Sequence, residues 1–76
     1  MTQEVSIAIN TEYIKLDQFL KYASVADSGA FAKMMILHED VKVNGQVCVQ
    51  RGKKLRPGDR VEVEGLEETF LVVKED

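Results

Sequence analysis

Asn44-Gly45, set between Val41-Lys-Val43 and Gln46-Val-Cys-Val49, constrains the fold of this chain more than any other stretch. A two-residue hairpin loop of type I′ needs positive φ at both central positions, and Asn-Gly tolerates that at least cost. With such a loop Val43 faces Gln46 and Val41 faces Cys48. Val41, Val43 and Cys48 then share one side of the hairpin, while Val47 and Val49 fall on the other. The side with Val41, Val43 and Cys48 is taken as the core face. A three-residue loop would instead align all four valines, and the sequence admits both registers.

Val5, Ile7 and Ile9 alternate with polar or small residues and predict a strand over about 4–9. Asn10-Thr11-Glu12 reads as a turn. Leu16, Phe19, Leu20 and Ala23 follow the i, i+3, i+4, i+7 spacing of an amphipathic helix, with Asp17 in its first turn and Lys21 near its end, as the helix dipole favours. Asp27-Ser28-Gly29 is a helix start, and a second helix is expected from Gly29 to Leu37 or His38. Its apolar stripe is assigned to Phe31, Met34 and Met35, widened by Ala30 and Leu37. Pro57-Gly58 marks a turn of type II. Val61 and Val63 form a strand, Gly65-Leu66-Glu67 turns, and Phe70–Val73 supplies the last strand. The fold class expected is α+β: two short helices packed on a small, mostly antiparallel sheet of four or five strands.

Seventy-six residues allow one domain, expected to span 1–76, and a chain of this size has little surface to bury. No apolar run nears the roughly 20 residues needed to cross a bilayer, so no membrane contact is expected. Met1-Thr-Gln-Glu-Val-Ser6 lacks the basic start and apolar run of a signal peptide. Cys48 is the lone cysteine and has no internal partner. A small domain without disulfides fits a reducing cytoplasm.

The charge distribution is uneven. The chain carries a net charge of -3. Between Lys42 and Arg60, however, six basic residues stand against one acid, and between Val61 and Asp76 one basic residue stands against six acids. The densest part is Arg51-Gly-Lys-Lys-Leu-Arg56. Screening over about 8 Å at physiological salt makes a local patch matter more than the distant total, and a cationic loop beside a hairpin is a plausible grip for a phosphate backbone.

Five segments in this order resemble one family: Lys15-Leu-Asp-Gln-Phe-Leu20, Ser28-Gly-Ala-Phe-Ala-Lys33, Met35-Ile36, Val41-Lys-Val-Asn-Gly45 and Gly58-Asp59. They are similar to the RNA-binding domain named after ribosomal protein S-four, the α-L RNA-binding motif, over about residues 14–64. The resemblance implies non-catalytic binding of structured RNA, ribosomal or transfer RNA, on the face of the two helices and the adjoining loop. It further implies a role near ribosomal particles, in ribosome assembly. Lys15 and Lys33 match basic positions of the family helices. Ser28 matches the helix-start serine, with capping as its main task and phosphate contact as a second. Two departures stand out. Gly29 occupies the place where many members carry Arg, and Glu39 the place where many carry Gly. If Glu39 takes a left-handed conformation, a strain of about 1 kcal/mol is expected; alternatively the helix ends differently.

The candidate RNA-binding residues are therefore Lys15, Ser28, Lys33, Lys42, Arg51, Lys53, Lys54 and Arg56. Lys42 is included because it alternates away from the core face. The bland alternative for each lysine and arginine is a solvated surface. Asp17 reads as a helix-start anion and His38 as a helix-end residue. Cys48 reads as a small buried hydrophobe, and Phe31, Met34 and Met35 as core. A lone histidine with no cysteine near it in sequence gives no metal site, and no nucleophile, phosphate loop or carboxylate pair is recognisable. No cofactor is expected, and the chain is expected to act as a monomer. A second reading is a protein-interaction adapter that makes no RNA contact and uses the exposed Val47/Val49 face.

Overall fold

Strands here form where apolar residues recur every second position, and helices where they recur every third or fourth. The computed structural model describes residues 3–75. In chain order the elements are β1 Gln3–Ile9, β2 Ile14–Lys15, α1 Leu16–Tyr22, α2 Gly29–Leu37, β3 Val41–Val43, β4 Gln46–Val47, β5 Lys54–Leu55, β6 Arg60–Val63 and β7 Glu68–Lys74. Five strands make one sheet in the order β1-β7-β6-β3-β4. All its neighbours are antiparallel except β1 and β7, which run parallel from Gln3↔Glu68 to Ile9↔Lys74. The architecture matches the expected α+β class. The separate two-stranded ribbon β2–β5 is an addition, since strands of two residues leave no periodic signature in a sequence.

The hairpin takes the two-residue loop. Asn44 and Gly45 have φ of 52° and 85°, Val43 pairs with Gln46, and the Cys48 N–H donates to the Val41 carbonyl at 3.0 Å. Val41 and Val43 are buried and Cys48 is half-buried against them, while Val47 and Val49 are 46% and 50% exposed. The Asn44 side chain also ties this turn to the next one. Its Oδ1 accepts from the Arg60 N–H at 2.9 Å, and its Nδ2 donates to Asp59 Oδ1 at 3.1 Å. Asp59 Oδ2 accepts from the Arg56 N–H at 2.8 Å. The turn at Pro57-Gly58 closes with the Asp59 N–H on the Arg56 carbonyl, with Gly58 at φ 101°. The Asn-Gly and Gly-Asp pairs are thus two halves of one hydrogen-bonded corner.

Both helices end the same way. After α1, the Val25 and Ser24 N–H groups donate to the carbonyls of Leu20 and Lys21. After α2, Asp40 and Glu39 donate to Met35 and Ile36. This is the Schellman arrangement, which places the first residue beyond the cap in the left-handed region. Ser24 and Glu39 sit there, both at φ 62°. Glu39 therefore adopts the strained conformation that its place in the sequence raised. At its other end α2 is capped by Ser28, whose Oγ accepts from the Phe31 N–H at 3.1 Å.

The core lies between one face of the sheet and the helices. Leu16, Phe19 and Leu20 of α1 are fully buried over Val41, Val61, Phe70 and Val72, with the Phe19 ring meeting Phe70 edge-on at 6.4 Å. The stripe assigned to α2 needs correction. Ala32 and Ile36 are its buried residues, with Met35 packed against them, whereas Phe31, Met34 and Leu37 are about half exposed. Almost every residue of α2 is apolar, so periodicity offers several equivalent stripes. Packing selects the one where small Ala32 admits a close approach.

Candidate nucleic-acid interface

The basic loop is positioned by backbone hydrogen bonds that the start of α1 requires. The first N–H groups of a helix have no intrahelical acceptor, and Lys15, at the cap position, makes no side-chain cap. Carbonyls of the loop take that role. The Leu16 N–H donates to Lys53 O at 2.9 Å and the Asp17 N–H to Arg51 O at 3.1 Å. Asp17 adds an acceptor for the Gln18 N–H at 2.8 Å, in keeping with its reading as a helix-start anion. Leu55, fully buried, anchors the far end of the loop in the core.

The ribbon then sets two lysines against each other. Ile14 pairs with Leu55 and Lys15 with Lys54. Directly opposed residues of an antiparallel pair have Cβ atoms about 5 Å apart, and like charges there are destabilising. Beside them, Tyr13 offers its ring to two cations, Lys54 Nζ at 4.9 Å and Arg56 Cζ at 6.0 Å from the centroid. Contacts of this kind hold a cation in place while leaving its charge available. Among the described residues the ion pair within 4 Å is Arg60–Glu4. Lys15, Arg51, Lys53, Lys54 and Arg56 are all exposed and take no carboxylate partner there.

Five of the eight candidates thus gather at the ribbon and the start of α1. Ser28 and Lys33 belong to α2, as its cap and a residue of its second turn. Lys33 lies one turn beyond Gly29, and the Lys21 side chain passes within 4.0 Å of where a Cβ on Gly29 would stand. Lys21 and Lys33 therefore flank the place where the expected arginine is missing. Lys42 is not brought to this cluster. It lies on the outer face of the sheet, opposite Glu62 and Val47, in a groove shared with Asp40, Glu64, Glu67 and Glu68. Glu62, Glu64, Glu67 and Glu68 accordingly line the groove of Lys42, whereas Glu75 lies beside Tyr13 and Ile14 at the flank of the ribbon. Sequence reasoning gave Lys21 only a helix-end role, and it gave Tyr13 no part in holding the cations. Tyr13 carries no such signal until Lys15 and Lys54 are known to pair.

A cluster of this kind can hold phosphates by charge and by short N–H donors, without reaction chemistry. Among the described residues no three metal-ligating side chains come together, and no helix is long and apolar enough to cross a membrane.

Comparison with known proteins gives two findings. A family model described as S4 domain matches residues 7–73. A protein of Bacillus subtilis (strain 168), named "Probable ribosome maturation protein RlbA", is 49% identical over 59 residues, covering 78% of this chain and 83% of the relative.

Proposed function

The chain belongs to the S4 domain family, and from that premise we propose that it binds structured RNA, ribosomal RNA foremost, through the β2–β5 ribbon and the loop Arg51–Arg56, in a non-catalytic step of ribosome maturation. The observation that carries this reading is the pairing of Lys15 with Lys54 across the ribbon, both exposed and without a carboxylate partner among the described residues. Like charges at directly opposed strand positions cost stability, and the Lys54 ammonium also lies over the Tyr13 ring. A phosphate between or beside the two lysines removes that cost. Recognition of folded RNA relies largely on shape, phosphate and 2′-OH contacts, which Lys15, Arg51, Lys53, Lys54 and Arg56 can supply. Lys21 at the end of α1, with the cap residue Ser28 and Lys33 of α2, extends the same contact. The ribosome-maturation name of the Bacillus relative supports the step assigned.

The test is equilibrium binding to purified bacterial ribosomal RNA, with transfer RNA as a second ligand, across a salt series. With about four phosphates neutralised, log affinity falls against log salt with a slope near -3 to -4. Lys54→Glu weakens binding and makes the slope shallower by about 1. Binding that ignores salt, or is indifferent to Lys54→Glu, overturns the proposal. Tighter binding to transfer RNA moves the target class and leaves the surface in place.

A further inference from the structure

The five-stranded sheet has two edges, β1 and β4, and they are guarded unequally. On β1 the Tyr22 hydroxyl donates to the Ala8 carbonyl at 3.0 Å, and Glu4 adds a charge. Side-chain caps and charges are the usual protection of an open edge. The β4 edge has neither. Gln46-Val-Cys-Val-Gln50 contains no charge and no proline. The hydrogen-bonded partners of β3 are Gln46 and Cys48, so the backbone groups of Val47 and Val49 point away from the sheet. No other described backbone hydrogen bond engages them. A groove of about 330 Å³ at this hairpin is lined by Val43, Asn44, the segment from Gln46 to Gln50, and Lys53.

We propose that the β4 edge is a second binding surface, which takes a short extended segment of another protein by strand addition, the segment carrying acidic residues at its end. The chemistry of the edge names the occupant. Outward N–H and C=O groups at alternate residues, each carried by an exposed valine, are satisfied by an extended backbone with alternating apolar side chains. Lys53 borders the groove and Arg51 follows the strand, so carboxylates at the end of the segment meet unpaired cations. A second copy of this chain fits poorly. The edge strand is only Gln46–Val47, extended by the Cys48 bond to Val41, too short for the ~800 Å² per partner of a stable dimer. Its own edge also brings no acid to Arg51 or Lys53. The inference does not rest on the RNA reading, although the surface shares Arg51 and Lys53 with it, so RNA and the peptide are expected to compete for those two side chains.

The test uses the full chain and a synthetic peptide, Thr-Val-Thr-Val-Asp-Glu, followed by NMR. Saturable shifts and slowed hydrogen exchange are expected at the Val47 and Val49 amides. Val49→Pro removes one outward N–H without breaking a bond to β3, and Val47→Lys guards the edge with a charge. Each should weaken the peptide about tenfold and leave affinity for ribosomal RNA unchanged, which also shows that the variants fold. A peptide ending in Asn-Gln should bind more weakly and with less salt dependence. Absence of binding at millimolar peptide overturns the proposal, as does a peptide affinity that both variants leave unchanged. So do shifts centred on Phe31, Met34 and Leu37, a dimer that buries the edge, or protection of the Val47 and Val49 amides by ribosomal RNA instead.

Discussion

Glu39 shows how one residue can be held in an unfavourable conformation by its neighbours. Its φ of 62° is set by the Asp40-to-Met35 and Glu39-to-Ile36 hydrogen bonds that close α2. Glu39→Gly should stabilise the fold by up to about 1 kcal/mol, because glycine lacks the Cβ that penalises the left-handed region. Thermal unfolding would show this as a raised Tm, and a lowered Tm would mean that the Glu39 side chain contributes something the backbone argument omits. Ser28 presents the opposite case. Ser28→Ala removes the acceptor for the Phe31 N–H and should cost about 1 kcal/mol, measured by urea denaturation. If Ser28 also touches phosphate, its RNA affinity falls by more than Ser28→Asn, which keeps the cap.

At the scale of elements, the β2–β5 ribbon separates stability from function. Lys54→Glu turns a like-charge pair into an opposite-charge pair across from Lys15, so Tm should stay level or rise while RNA affinity falls. Loss of both would mark Lys54 as structural. Leu55 supplies the contrast, since it is fully buried and fastens the ribbon to the core. Leu55→Ala should cost about 2–5 kcal/mol. In a domain whose whole stability is of order 5–15 kcal/mol, thermal unfolding followed by circular dichroism should show a clearly lowered Tm.

On the scale of the whole molecule, most of the charge among the described residues is segregated, with Glu75 beside Tyr13 as an exception. The ribbon and the loop after β4 are basic. The groove around Lys42 at the β6–β7 turn collects Asp40, Glu62, Glu64, Glu67 and Glu68. Such a distribution orients the protein on a polyanion while its net charge of -3 opposes indiscriminate adsorption. Lys42→Glu should therefore change ribosomal-RNA affinity far less than Lys54→Glu at equal loss of charge, as filter binding at one salt concentration would show. Equal losses would mean that total charge, and not the ribbon, governs binding.

The helix spans, the Asn44-Gly45 hairpin and the Pro57-Gly58 turn were legible in the residues, because near-neighbour sterics and hydrogen bonds decide them. The basic loop was legible as a composition, and the order of its flanking motifs pointed to the family. The sequence left open the buried face of α2, since Phe31, Met34, Ala32 and Ile36 compete on equal terms until α1 and the sheet are in place. It was silent on the parallel pairing of β1 with β7, on the Lys15–Lys54 opposition and on the acidic company of Lys42. Those follow from burying one shared core, which brings residues together across tens of positions along the chain; periodicity in a sequence reports only what a residue's nearest neighbours require.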